Sequence, residues 1–154
     1  MKTLCIYYSR TDTTRKAMTR LSEILGADIF EYTDGKSHSG VLGYIGCCFL
    51  SFKKFVDVKI IGEPDFSQYD RVIIGMPIWV EGPSIMGKSF LKKYGPVLPK
   101  DVWYVVTQMG GADYTKKIYA LDEYIGRPSG GHLSLRTKGN DYIKEIEEFA
   151  EKLK

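Results

Sequence analysis

The stretch that decides the fold is L-C-I-Y-Y at residues 4–8, followed by S-R-T-D-T-T at residues 9–14. A short unbroken apolar run is typical of a strand that is buried on both faces of a sheet. Residues 13–25 then place apolar side chains on one helical stripe, and Gly26 fits the position that ends a helix. The chain therefore begins with a buried strand, a polar loop and an amphipathic helix.

The same alternation continues along the rest of the chain. Further strands are predicted at residues 28–32, 71–76, 102–107 and 132–137. Helices are predicted at residues 84–94, 114–125 and 141–153. Residues 34–68 mix glycine, serine and histidine with a glycine-interrupted apolar stretch, and they predict only a loop and a helix. This alternation favours an α/β fold in which helices cover both faces of a parallel sheet.

Length and composition set the broad class. The chain has 154 residues, of which 44% are hydrophobic and 27% charged, and this predicts one globular domain spanning residues 1–154. The net charge of +3 comes with scattered basic residues, so we expect no nucleic-acid partner. Cys5, Cys47 and Cys48 have neither a disulfide framework nor a metal-ligand spacing, which fits a reducing cytosol. Because the chain shows neither a signal-peptide pattern nor a membrane-length apolar run, we expect a cytoplasmic protein without a membrane partner.

The loop after the first strand has the chemistry of a phosphate site. Hydroxyl side chains and free backbone N–H groups meet at a helix N-terminus, whose partial positive charge favours an anion. A serine- and threonine-rich helix cap would explain the same composition. The candidate phosphate-binding residues are Ser9, Arg10, Thr11, Asp12, Thr13 and Thr14.

This loop resembles the phosphate loop of the flavodoxin family, which has the form S/T-x-T-G-x-T. Ser9, Thr11 and Thr14 match that form, whereas Asp12 stands where glycine is usual. The resemblance covers nearly the whole chain in element order. It implies FMN as the cofactor and a three-layer, doubly wound five-stranded parallel sheet of order 2-1-3-4-5. A carboxylate repels a phosphate unless it points to solvent or caps the helix, but aspartate tolerates a left-handed backbone and Arg10 would offset its charge.

The segment after the third strand is the most specific part of the resemblance. G-M-P-I-W at residues 75–79 is similar to the family pattern G-x-P-I/V-W, which wraps the flavin ring. An apolar anchor that packs on the domain itself is the alternative interpretation of the tryptophan. The residues implied to contact the ring are Met76, Pro77, Ile78 and Trp79.

The loop after the fourth strand, T-Q-M-G-G at residues 107–111, also matches the family. There the corresponding loop gives backbone N–H groups to the pyrimidine edge of the flavin, and glycines allow close approach of the backbone. A plain strand-to-helix turn would have the same composition. The implied cofactor contacts are Gln108, Met109, Gly110 and Gly111.

A competing motif lies at residues 82–89, where G-P-S-I-M-G-K-S fits the pattern G-x-x-x-x-G-K-S/T of P-loop nucleotide-binding proteins. That motif requires a strand that feeds directly into the loop. Here the third strand is expected to end near Met76, because Pro77 would disrupt a longer central strand. Ile85 and Met86 also fall on the inward stripe of a helix. We therefore interpret the match as a coincidence and keep nucleotide binding as the least favoured alternative.

The resemblance implies an FMN-binding protein that acts in electron transfer, in which the cofactor carries the chemistry and the chain needs no catalytic residue or metal. Family carriers are usually acidic, so the basic charge leaves open a redox protein partner or a small-molecule acceptor. With a small acceptor the chain is an FMN-dependent NAD(P)H:quinone-type reductase, and the apolar stretch from Tyr44 to Phe55 shapes a pocket beside the flavin. Asp12 keeps open a third alternative, a binding domain that has lost FMN. A monomer and a homodimer are both compatible with these alternatives.

Overall fold

A computed structural model describes residues 1–52, 54–139 and 141–154 of the chain. Within these ranges, strands and helices alternate from the first residues to the last. In chain order they are β1 Thr3–Tyr7, α1 Thr13–Leu25, β2 Asp28–Thr33, α2 Gly40–Leu50, β3 Lys59–Ile61, β4 Arg71–Trp79, β5 Gly82–Pro83, α3 Ile85–Tyr94, β6 Asp101–Gln108, α4 Thr115–Tyr119, α5 Asp122–Ile125, β7 Gly131–Arg136 and α6 Tyr142–Leu153.

Parallel strands form the centre of the sheet in the order β2-β1-β4-β6-β7, which confirms the expected α/β class and the order 2-1-3-4-5. The chain winds from β1 outward to β2 and then returns to the other side of β1 through β4. Ligands of such sheets bind at the carboxyl ends of the strands, near this reversal. Tyr7 pairs with Gly75, so β1 and β4 run level up to the point where β1 ends.

The sheet is buried on both faces because its strands carry apolar side chains in both directions. On one face, Leu4, Ile6 and Ile74 pack with residues of α3, α4 and α5. On the other face, Cys5 and Ile73 pack with residues of α1 and α6. These two clusters produce the three-layer arrangement and leave the strand ends free for a site.

Several elements differ from the sequence-based expectation, among them β5, which pairs antiparallel with the end of β4 and was not predicted. β3 pairs antiparallel with β2 at the edge of the sheet, and it was not predicted because three residues are too few to show a strand pattern. β4 continues through Pro77 to Trp79, although Pro77 was expected to end it. Proline is tolerated there because β1 has already ended, so this part of β4 has lost one neighbour. The helix expected at residues 114–125 consists of two short helices, α4 and α5.

α2 confirms that residues 34–68 contain a helix, but much of its apolar surface faces outward. Val41, Leu42 and Phe49 are exposed, and Cys47 is the residue of α2 that is buried. No helix in the described ranges combines the length and the apolar character that crossing a membrane requires.

Candidate functional site

One pocket opens where β1, β4 and β6 end, beside the winding reversal of the sheet. Its walls come from the three loops that the sequence singled out, together with α2 and Thr137. The sheet therefore gathers loops that lie far apart in the sequence. The predicted residues that line the pocket are Ser9, Arg10, Thr11, Thr13, Thr14, Pro77, Ile78, Trp79, Gln108 and Met109.

The remaining predicted residues do not line the pocket. Met76 is fully buried among the core side chains, so its predicted ring contact is corrected to a packing role. Side chains alternate along a strand, and this alternation turns Met76 away while Pro77 faces the pocket. Gly110 and Gly111 are exposed beyond Met109, and the side chain of Asp12 turns outward.

The loop between β1 and α1 has a left-handed residue, Asp12, at the position where the family resemblance implies glycine. Asp12 has φ 63° and ψ −4°, in the left-handed region, and its carbonyl accepts the first helical hydrogen bond from the Lys16 amide at 2.9 Å. The Asp12 carboxylate does not cap α1 but forms an ion pair with Arg15. Thr13 and Thr14 at the start of α1 therefore line the pocket, whereas Asp12 does not.

The sequence suggested that Arg10 would offset the charge of Asp12, but the structure pairs Asp12 with Arg15 instead. Arg10 Nη1 donates to the His38 carbonyl at 3.4 Å, and the Arg10 guanidinium lies 5.6 Å from the centre of the Tyr44 ring. Arg15, one helical turn beyond Asp12, takes the role that was expected of Arg10.

Two hydroxyls of the loop are buried in different ways. Thr14 Oγ1 and Thr107 Oγ1 lie 2.7 Å apart and share a hydrogen bond between α1 and β6. Ser9 Oγ is buried and has no hydrogen-bond partner. A buried hydroxyl without a partner is unfavourable, and this one lies on the wall of the pocket beside a helix N-terminus. Ser9 is therefore a candidate to bind a polar group in the pocket.

Trp79 supplies an aromatic wall at the end of β4. Its ring makes edge contacts with Tyr8, at 5.6 Å between centroids, and with His38, at 6.3 Å. His38 in turn forms a buried pair with Asp34, with 2.9 Å between Nε2 and Oδ2. This support behind Trp79 was missed from the sequence, where the only signal is the four-residue spacing of Asp34 and His38.

α2 forms the wall of the pocket that faces away from the sheet. Tyr44, Cys47 and Cys48 line the pocket, so of the stretch from Tyr44 to Phe55 that was expected to shape it, the first part lies there, whereas Phe49, Phe52 and Phe55 do not line it. Burial raises the pKa of the Cys47 thiol to about 11, so this thiol is uncharged at neutral pH. Burial also keeps the pKa of Tyr8 well above its usual value.

Gln108 gives the pocket a polar rim at the end of β6. Its Nε2 donates to the Ala112 carbonyl at 3.1 Å and to Ser134 Oγ at 2.9 Å. These two bonds fix the amide, and its Oε1 is buried without a partner. The side chain of Gln108 therefore retains one unused hydrogen-bond acceptor on a residue that lines the pocket.

The competing motif at residues 82–89 serves packing and capping. Ser84 Oγ accepts from the Gly87 amide at 3.2 Å and caps α3, while Gly87 packs directly against Met76. Ser89 Oγ accepts from the Val56 amide at 2.9 Å. These contacts engage the Gly87 amide and the Ser89 hydroxyl, which in a P-loop would face the phosphate and the magnesium ion. The described residues also contain no cluster of three or more His, Cys, Asp or Glu that could hold a metal.

Solved structures share the fold of this chain over nearly their whole length. A protein of Bacteroides eggerthii DSM 20697 described as a flavoprotein superposes with a TM-score of 0.76 at 20% identity, covering 97% of this chain and 96% of that one. A flavoprotein of Lactobacillus acidophilus NCFM, solved in complex with FMN, has a TM-score of 0.70 at 19% identity, covering 95% and 98%. The chain has the flavodoxin fold.

The two-electron reduced flavodoxin of Megasphaera elsdenii extends the flavodoxin-fold comparison, with a TM-score of 0.58 at 16% identity, covering 97% of this chain and 98% of that one. No protein-family model and no curated protein sequence matches the chain. The similarity of this chain to these structures therefore lies in the course of the backbone, and the chemistry of the pocket depends on this chain's own residues.

Proposed function

We propose that this chain binds FMN in the pocket at the ends of β1, β4 and β6 and transfers electrons through it. The observation that carries the proposal is the buried, unpartnered hydroxyl of Ser9 beside the N-terminal amides of α1. Hydroxyl and amide donors at a helix N-terminus suit a phosphate group. The aromatic and apolar wall that continues from this anion site suits a flat ring. FMN joins these two chemistries in one molecule.

Each wall of the pocket has a separate task in this proposal. FMN supplies the redox chemistry when it is bound, so the protein has to bind, orient and shield it. Ser9, Thr11 and Thr13 would hold the phosphate, Ile78 and Trp79 would cover the ring, and Gln108 would accept from its polar edge. No side chain of the chain needs to act as a proton donor or a nucleophile for electron transfer.

Titration of the apoprotein with FMN tests the proposal. We expect a one-to-one complex in which the fluorescence of FMN is strongly changed, and weaker binding of riboflavin, which lacks the phosphate. FMN that keeps its free-solution fluorescence in the presence of excess protein would contradict cofactor binding. The same result would favour a flavodoxin-fold binding domain that has lost FMN.

A second candidate function is reduction of a small acceptor such as a quinone. It is favoured by α2, because Tyr44, Cys47 and Cys48 line the same pocket as the three loops and extend its apolar wall. An apolar wall beside a flat cofactor provides space for a second flat molecule. In this case the acceptor replaces a redox protein as the partner.

Steady-state assays with NAD(P)H and quinones distinguish the two candidates. A reductase is expected to turn over quinone with FMN bound, and Tyr44→Ala is expected to raise the KM for quinone. Leu42→Ala is the matched control, since Leu42 is an exposed residue of α2 outside the pocket lining. An FMN-loaded protein that turns over no small acceptor would leave electron transfer to a redox protein as the function.

A further inference from the structure

Arg15 connects three parts of the chain around the start of α1. Its Nε donates to the Tyr7 hydroxyl at 3.0 Å, at the end of β1. Its Nη2 donates to both carboxylate oxygens of Glu31 on β2, at 3.1 and 2.9 Å. Its Nη1 donates to Asp12 Oδ1, one turn earlier in the chain. A single guanidinium thus joins the end of β1, the loop before α1 and strand β2.

The ion pair between Arg15 and Asp12 involves the loop position at which the family pattern has glycine and this chain has aspartate. A non-glycine residue in the left-handed region is strained, and aspartate is better tolerated there than most residues. The Asp12 side chain makes no cap hydrogen bond that would hold this conformation locally. The ion pair with Arg15 supplies the missing restraint and directs the carboxylate away from the anion site.

Arg15 is held more firmly than a surface arginine with one partner. Its hydrogen bonds to Tyr7 and Glu31 raise the pKa of its guanidinium above the ordinary value, so its charge is permanent. The Glu31 side chain is 23% exposed and accepts both Nη2 bonds, which fixes the orientation of the planar group. Tyr7 and Glu31 therefore fix the position of the guanidinium independently of Asp12.

We propose that Arg15 is the positioning residue of the phosphate loop: through Asp12 it holds the left-handed backbone that directs the α1 amides into the pocket. The inference rests on the proposed binding of FMN, because it assigns the phosphate group to these amides. Arg15 itself does not line the pocket and acts through Asp12. The arginine and the aspartate together replace the glycine that such loops usually carry.

A double-mutant cycle tests this role. We expect R15Q to weaken FMN binding about fivefold, the upper end of what a partly exposed ion pair contributes, and to leave riboflavin binding unchanged. In the D12G background, where glycine adopts the same conformation without help, R15Q should change FMN affinity less than about twofold. R20Q is the matched control, since it removes a charge from α1 whose partners are Glu23 and Glu147.

The outcomes separate positioning from other roles. If R15Q lowered the affinity equally with and without the D12G substitution, Arg15 would act on the phosphate by charge alone, and the inference would be overturned. Equal losses for FMN and riboflavin would show a general structural role and would overturn it too.

Hydrogen exchange of the apoprotein decides the inference without any cofactor. The Lys16 amide donates to the Asp12 carbonyl, so its exchange reports the conformation of the loop. R15Q should accelerate this exchange about fivefold with Asp12 present and leave it nearly unchanged in the D12G background. Unchanged exchange in R15Q alone would overturn the role of Arg15. If the wild-type protein binds no FMN, the proposed function fails, and this measurement still decides whether Arg15 positions the loop.

Discussion

Ser9→Ala is expected to weaken FMN binding by about tenfold or more, because a hydrogen bond to a charged group contributes about 1.5–3 kcal/mol. The same substitution should leave the apoprotein at least as stable as the wild type. Ser9 Oγ is buried without a partner, so its removal takes away an uncompensated polar group. Fluorescence titration gives the dissociation constant, and denaturant unfolding gives the stability of the apoprotein.

Ser89→Ala is the control for Ser9→Ala, because both changes delete a buried serine hydroxyl. Ser89 Oγ accepts from the Val56 amide, so its loss should cost about 1 kcal/mol of stability and leave FMN affinity unchanged. Ser89 is also the final hydroxyl of the P-loop-like stretch. Loss of affinity in Ser89→Ala but not in Ser9→Ala would mean that the anion site has been assigned to the wrong loop.

Gly43→Ala is expected to destabilise the protein by about 1–3 kcal/mol and to weaken FMN binding, because overpacking here displaces a wall of the pocket. A Cβ at Gly43 would lie 2.1 Å from the His38 carbonyl carbon and 2.2 Å from its oxygen. Backbone atoms cannot move aside as a side-chain end can, so α2 has to shift. Tyr44 and Cys47 move with it. Denaturant unfolding and FMN titration measure the two effects.

Gly46→Ala in the same helix is the matched control for Gly43→Ala. A Cβ at Gly46 meets nothing within 4 Å, so the change should stabilise the protein by about 0.5–1 kcal/mol through helix propensity. The two substitutions are chemically identical and lie on neighbouring turns of one helix. If Gly43→Ala were as stable as Gly46→Ala, the described packing of α2 against His38 would be wrong.

The fold was largely readable from the sequence because its strands are buried on both faces. Unbroken apolar runs such as residues 4–8 and 72–76 indicate buried strands, and their alternation with helices predicts a parallel sheet. The missed strand β3 shows the limit of this reasoning. Only Ile60 of its three residues is buried, so neither an apolar run nor a full alternation is visible.

The candidate site was readable only where the chemistry lies within one loop. The hydroxyls at residues 9–14 predict an anion site because these donors and the helix N-terminus are adjacent in sequence. The contact of Arg15 with Glu31 and the contact of His38 with Trp79 depend on distances between separate elements. No local pattern carries that information, and for this reason Arg10, rather than Arg15, was expected to offset the charge of Asp12.

The short strand β3 determines where this sheet is open to other chains. An unpaired strand edge offers backbone groups to a second molecule, and proteins limit this by making such strands short and placing lysine on them. β3 ends one side of the sheet with three residues that include Lys59, whereas β7 ends the other side with six. β3 pairs with Glu31–Thr33 of β2, so we expect intermolecular strand addition to favour the longer β7 edge over this covered part of β2.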